Sequence, residues 1–138
     1  MSEMLGNQYF MARNYSAAEK EFEECLSKYP DNKSIRKKLI VCYTQSNKLR
    51  LALDFFHALI KEDIDFILDT NHVDDDCPCP ELIHKIEDSK NYDPSSAEYF
   101  TMLGIIWLYC SIEKSIENFE KARKLDDSNI TLSTILLI

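Results

Sequence analysis

Apolar residues near the start of the chain follow the period of an α-helix. Leu5, Gly6 and Tyr9 stand at positions i, i+1 and i+4, which places an apolar and locally thin face on one helix. Ala18 and Phe22 lie one turn apart farther along, where a small residue lets two backbones approach and an aromatic ring fills the space above it. The pattern predicts a pair of packed helices.

Polar residues and prolines mark the ends of these helices. Arg13-Asn14 separates the first two helices, and Tyr29-Pro30-Asp31-Asn32 ends the pair with a proline stop and candidate caps. Ser46-Asn47 has the same place in the following segment. With two glycines and four prolines in 138 residues, the chain has little material for the turns of a many-stranded sheet, so an all-α fold is expected.

The same pattern recurs along the chain. The five positions are repeated 34 residues later by Leu39, Ile40, Tyr43, Ala52 and Phe56. A third copy, with one residue fewer between the aromatic and the small residue, contains Leu103, Gly104, Trp107, Ser115 and Phe119. Because one helix pair leaves a face unburied, the pairs are expected to stack.

This 34-residue pattern, with its Leu-Gly-x-x-Tyr segment, small residue, aromatic residue and Pro30, resembles the tetratricopeptide repeat. The resemblance implies an all-α, right-handed superhelix of antiparallel helix pairs in one domain, 1–138. Within it we expect repeats at 2–31, 32–64 and 96–127, an irregular insert at 65–95 and a terminal helix at 128–138. An irregular helical bundle is the alternative for the same aromatic series.

Residues 65–95 interrupt the repeat. Leu39 and Leu103 are 64 residues apart, which is four short of two periods, so the segment is either an insert or an eroded repeat. Pro80 followed by Glu81 is a typical helix start, and apolar residues on one side predict a short helix there. Those residues are Leu82, Ile83 and Ile86.

The same segment contains residues with metal-binding chemistry. His72, Cys77, Cys79 and His84 place two imidazoles and two thiols within 13 residues, which are ligand types that zinc prefers. A proline separates the cysteines and restricts how both sulfurs face one ion, and the spacing lacks the geometry of redox C-x-x-C pairs. A stiff loop is the main interpretation, with no cofactor; a metal- or redox-responsive regulatory protein is the alternative.

The composition narrows the functional classes. A formal net charge of −8 disfavours nucleic acid and anionic lipid surfaces as partners. No apolar run approaches the ~20 residues that span a bilayer, and the first residues lack a secretion signal. Five cysteines, an odd number, suit a reducing compartment. We therefore expect a cytoplasmic protein, and no catalytic motif indicates an enzyme.

The resemblance implies that the first helices of the repeats line a concave groove that binds a protein or peptide. The positions carried over are Asn7, Phe10, Met11, Lys37, Val41, Thr44, Thr101, Ile105 and Leu108. Their mixed, rather apolar character favours an apolar or amphipathic segment as the partner. Glu3 and Glu98 stand where carboxylate-binding relatives have bases, which disfavours C-terminal tails as ligands. Neighbour packing is the alternative role for the aliphatic positions.

The last residues, 128–138, are apolar nearly all round the expected helix. A soluble repeat array normally ends in a helix with a polar outer face. This segment therefore predicts either a homodimer through the C-terminal helix or a chain that is part of a longer array. A purely structural oligomerisation unit is a further alternative to the interaction module.

Overall fold

The computed structural model describes residues 2–69, 79–88, 93–126 and Ile135. Regular structure in these ranges is entirely helical, which confirms the all-α class. The eight helices are α1 (Ser2–Met11), α2 (Tyr15–Lys28), α3 (Lys33–Gln45), α4 (Leu49–Asp63), α5 (Asp65–Leu68), α6 (Cys79–Asp88), α7 (Ala97–Trp107) and α8 (Ile112–Leu125). The chain divides into two compact units, Met1–Leu59 and Ile60–Ile138, and the boundary between them falls within α4. The single domain and its superhelix stay predictions.

Two helices of the first unit, α2 and α3, begin at asparagine caps. The Asn14 side chain accepts a hydrogen bond from the Ala17 N–H at 3.2 Å and begins α2. Asn32 does the same for Ile35, also at 3.2 Å, and begins α3. Each cap satisfies a backbone donor that the helix itself leaves unpaired. Within the unit α1 packs against α2, and α2 packs against α3.

The 34-residue period is visible in the backbone as well as in the side chains. Arg13 has a φ of 62° and Asn47 a φ of 59°. In each of the first two copies, the residue at this repeat position therefore adopts the left-handed conformation in the turn between the paired helices. In the third copy the first helix already ends at Trp107, four residues separate it from α8, and the described residues contain no third left-handed position. The aromatic residue and the cap of the next helix are five positions apart in Tyr9 and Asn14 but four apart in Trp107 and Ser111, so the missing residue falls between these two positions.

The close approach of the paired helices follows from the small residues. A Cβ added to Gly6 would lie 2.7 Å from the Phe22 ring, and one added to Gly104 would lie 2.8 Å from the Phe119 ring. Ala18, Ala52 and Ser115 are also buried, as the notch in each copy requires. In the second copy Ile40 takes the place of glycine and is buried as well.

The second unit contains α6, α7 and α8. The helix expected after Pro80 is present as α6, and its apolar residues Leu82, Ile83 and Ile86 are buried. It packs against α7, which packs closely on α8. The Ser115 hydroxyl donates to the Gly104 carbonyl at 2.6 Å, so the small residue of α8 is also hydrogen-bonded to α7.

Lysines on α8 cover aromatic rings of α7. Lys114 Nζ lies 5.7 Å from the centre of the Trp107 ring, and Lys121 Nζ lies 5.5 Å from that of Phe100. A cation over the face of a ring is attracted by its quadrupole, so both contacts favour the helix pair.

The expected terminal helix, 128–138, lies outside the described residues except for Ile135, which is buried. The homodimer through that segment accordingly stays a prediction. Within the ranges that the structure describes, no helix is both long and apolar enough to cross a membrane.

Candidate partner-binding surface

A polar contact joins the first helices of the first two copies. Lys38 Nζ on α3 donates to Asn7 Oδ1 on α1 at 2.8 Å, and both side chains are partly exposed. Asn7 belongs to the expected groove, whereas Lys38 does not. The expected position was Lys37, which is buried instead.

Two methionines flank this pair on α1. Met4 and Met11 are 62% and 61% exposed, and positions 4, 7 and 11 fall on one stripe of a helix. Methionine is flexible and polarisable, which suits a surface that adapts to a partner. We call Met4, Asn7, Met11 and Lys38 the methionine–lysine patch.

Seven of the nine expected groove residues are buried in this structure, namely Phe10, Lys37, Val41, Thr44, Thr101, Ile105 and Leu108. The Phe10 ring lies 6.2 Å from that of Phe22 in an edge-on arrangement, as in a hydrophobic core. The Thr44 hydroxyl donates to the Val41 carbonyl at 2.6 Å. These residues pack within the protein, and contact with a partner stays a prediction for them.

A second polar cluster fixes α2 to the following helices. Lys48 donates to the buried carboxylate of Glu19, and the Tyr43 hydroxyl donates to Glu23 Oε2 at 2.7 Å. Burial and this hydrogen bond raise the pKa of Tyr43 above its usual value. Both contacts join side chains on α2 to the segment from α3 to the turn before α4.

Cys42 is buried beside this cluster. Burial, together with the nearby Glu19 charge, raises the pKa of its thiol to about 12. A thiol that stays protonated at neutral pH is a poor nucleophile and a poor metal ligand. The structure therefore assigns Cys42 to packing.

The expected metal ligands fall mostly outside the described residues. His72 and Cys77 are not in the described ranges, Cys79 begins α6, and His84 is exposed on the same helix. Within the part of the chain that the structure describes, no group of three or more histidine, cysteine or acidic side chains is placed to hold a metal. The four-residue metal site stays an alternative prediction.

The geometry defines a class of protein. Helix pairs closed by a small residue against an aromatic ring, with the turn residue repeated after 34 positions, are the units of a helical-hairpin repeat protein. Residues 9–65 match the tetratricopeptide repeat family. Over these residues the chain is similar to tetratricopeptide repeats, as its sequence indicated.

The matched residues cover most of the first two copies but not the third. The third copy is supported by its structure, since Gly104 meets Phe119 as Gly6 meets Phe22. No curated protein shows a significant sequence match to the chain.

Proposed function

We propose that this chain is a cytoplasmic protein-interaction module, an adaptor, co-chaperone or assembly factor, and not an enzyme. Tetratricopeptide repeats generally mediate protein–protein interaction. The observation that carries the proposal is the methionine–lysine patch, where exposed apolar side chains flank a polar pair that bridges two repeats.

The chemistry of the patch defines the partner. Met4 and Met11 offer apolar contact along one stripe of α1, which fits an amphipathic helix or an extended apolar segment. Lys38 is partly exposed beside Asn7 and brings a positive charge to this stripe, which favours a carbonyl or carboxylate of the partner at that point. The proposed ligand is an amphipathic segment with an acceptor near its apolar side.

Peptides selected from a random display library against the full chain test the proposal. Isothermal titration calorimetry then compares their affinity for the wild type, for Met11→Glu with Lys38→Glu, and for Tyr29→Glu. Tyr29 is exposed at the end of α2. Tyr29→Glu serves as the matched control, because it adds a negative charge to an exposed site outside the patch.

The double variant should lose at least tenfold in affinity, about 1.4 kcal/mol, while the control keeps wild-type affinity. Far-UV circular dichroism verifies that both variants fold. Selected peptides that lack apolar residues, or that bind the double variant as well as the wild type, would show that the patch is not the binding surface.

A further inference from the structure

One helix face is buried in the first two copies and exposed in the third. The residue after the small notch residue is Glu19 in α2, Leu53 in α4 and Ile116 in α8. Glu19 and Leu53 are 5% and 4% exposed, whereas Ile116 is 43% exposed. Ile112, one turn earlier on α8, is 40% exposed. We call Ile112, Ile116 and Glu120 the tail face.

The complementary face is exposed on the first helix of the first copy. Leu39 and Cys42 on α3 are fully buried, but their counterparts on α1, Leu5 and Gln8, are exposed. Tyr9 is partly exposed and lies on the same side of α1. We call Leu5, Gln8 and Tyr9 the head face; it is a different stripe of α1 from the methionine–lysine patch.

The contact between α2 and α3 shows how two such faces fit together. It joins the second helix of one copy to the first helix of the next. Glu23 on α2 accepts a hydrogen bond from Tyr43 on α3, and the charges of Glu19 and Glu23 both act on Cys42. The α2 residues of this interface are therefore the counterparts of the tail face, and the α3 residues are the counterparts of the head face.

Both members of the hydrogen-bonded pair recur on the exposed faces. Glu120 takes the position of Glu23, and Tyr9 takes the position of Tyr43. Ile116 takes the position of Glu19, so an apolar side chain replaces a buried carboxylate. A contact between the two faces would bury apolar surface and would not bury the charge that Glu19 brings to the first interface.

We propose that the tail face of one copy binds the head face of a second copy of this chain. The contact continues the α2–α3 interface between molecules, with Ile116 against Leu5 and Gln8 and with Tyr9 donating to Glu120. Such a contact is heterologous, so a two-chain complex still has a free head face on one molecule and a free tail face on the other. Further molecules can add to these faces, and longer assemblies form as the concentration rises.

Sedimentation velocity of the full chain, from low micromolar to near millimolar concentration, tests the proposal. The wild type should sediment faster as concentration increases. Ile116→Lys on the tail face and Gln8→Glu on the head face should each give monomers, since each places a charge in the contact. Leu51→Lys, which alters an exposed leucine on α4 outside both faces, should associate like the wild type.

Mixing the two blocked variants distinguishes this arrangement from a symmetric dimer. Ile116→Lys keeps an intact head and Gln8→Glu keeps an intact tail, so an equimolar mixture should form two-chain complexes and nothing larger. Tyr9→Phe should weaken association by roughly tenfold, because it removes a hydrogen bond to a charged acceptor.

Three results would overturn the proposal. The first is a wild type that stays monomeric over the whole concentration range, which would indicate that residues 127–138 or another protein cover the tail face. The second is a mixture of blocked variants that does not associate. The third is association that Ile116→Lys abolishes and Gln8→Glu leaves intact, which indicates a symmetric contact through α8. Melting curves by circular dichroism verify that every variant is folded.

Discussion

Replacing Gly104 with alanine should destabilise the second unit, although alanine is the better helix former. The added Cβ would lie 2.8–2.9 Å from three atoms of the Phe119 ring, closer than carbon atoms pack in proteins. Phe119 is buried, and the hydrogen bond from Ser115 to the Gly104 carbonyl holds α8 close to α7. The ring therefore has little room to move away.

Two opposing effects determine the magnitude. Alanine in place of a helical glycine gains about 1 kcal/mol from helix propensity. Forcing a methyl group into a well-packed core costs about 1–3 kcal/mol. Because the ring is buried and α8 is hydrogen-bonded to α7 at this point, the cost exceeds the gain, and we expect Gly104→Ala to lower the free energy of unfolding by about 1 kcal/mol.

Urea unfolding followed by the fluorescence of Trp107 measures this effect in the second unit. Trp107 is the only tryptophan of the chain and lies three residues after Gly104 on α7. The same substitution in a Phe119→Leu background serves as the control, because the smaller side chain leaves space for the methyl group. A double-mutant cycle then isolates the clash from the propensity term.

We expect Gly104→Ala to lower the stability of the wild type and to raise that of the Phe119→Leu variant. If Gly104→Ala stabilises the protein by about 1 kcal/mol in both backgrounds, propensity alone decides and the close approach of the helices is not a constraint.

Three further substitutions test other features of the fold. Arg13→Asn should stabilise the first unit by up to about 1 kcal/mol in urea titrations, because asparagine tolerates the left-handed conformation that Asn47 has 34 residues later; the reciprocal Asn47→Arg should destabilise it. Lys48→Met should destabilise the first unit by leaving the buried Glu19 carboxylate without its cation, whereas Glu19→Leu, which copies Leu53, should be neutral or stabilising in the same assay. At high pH the unfolded Cys42 thiol ionises while the folded one, with a pKa raised from 9.0 to about 12, stays protonated, so unfolding becomes easier above pH 9. Cys42→Ala should reduce the fall of the unfolding free energy between pH 9 and 10 by about 1 kcal/mol, because the unfolded thiol is half ionised at pH 9 and almost fully ionised at pH 10; an unchanged slope would contradict the burial of the thiol.

The helix pairs were predictable because their determinants are local. Gly6 and Phe22 belong to one pair of consecutive helices, and the spacing along each helix fixes which residues face each other. The recurrence of the same pattern after the interrupting segment then extends the prediction to Gly104 and Phe119. Neither prediction depends on how one pair meets the next.

The candidate site was less predictable because it depends on contacts between copies. Lys37 and Lys38 are adjacent in sequence but point about 100° apart around α3, so one is buried and the other reaches Asn7. Val41 and Ile105 look like groove residues in sequence, yet both are buried in the fold. The pattern of apolar residues along one helix does not show which of its faces another helix of the fold will cover.

The repeat position of Glu19, Leu53 and Ile116 shows that packing inside a helix pair and contact beyond the pair are determined by different residues. The notch residue beside it stays small in every copy, because it is fixed by packing inside a helix pair. The position itself changes from a carboxylate bonded to Lys48, to a buried leucine, to an exposed isoleucine, because it faces whatever lies beyond the pair. Substitution of Gly104 should consequently alter stability without altering association, and substitution of Ile116 should alter association without altering stability. If substitution of either residue alters both stability and association, the folding of the helix pair and its contact with other molecules are not independent.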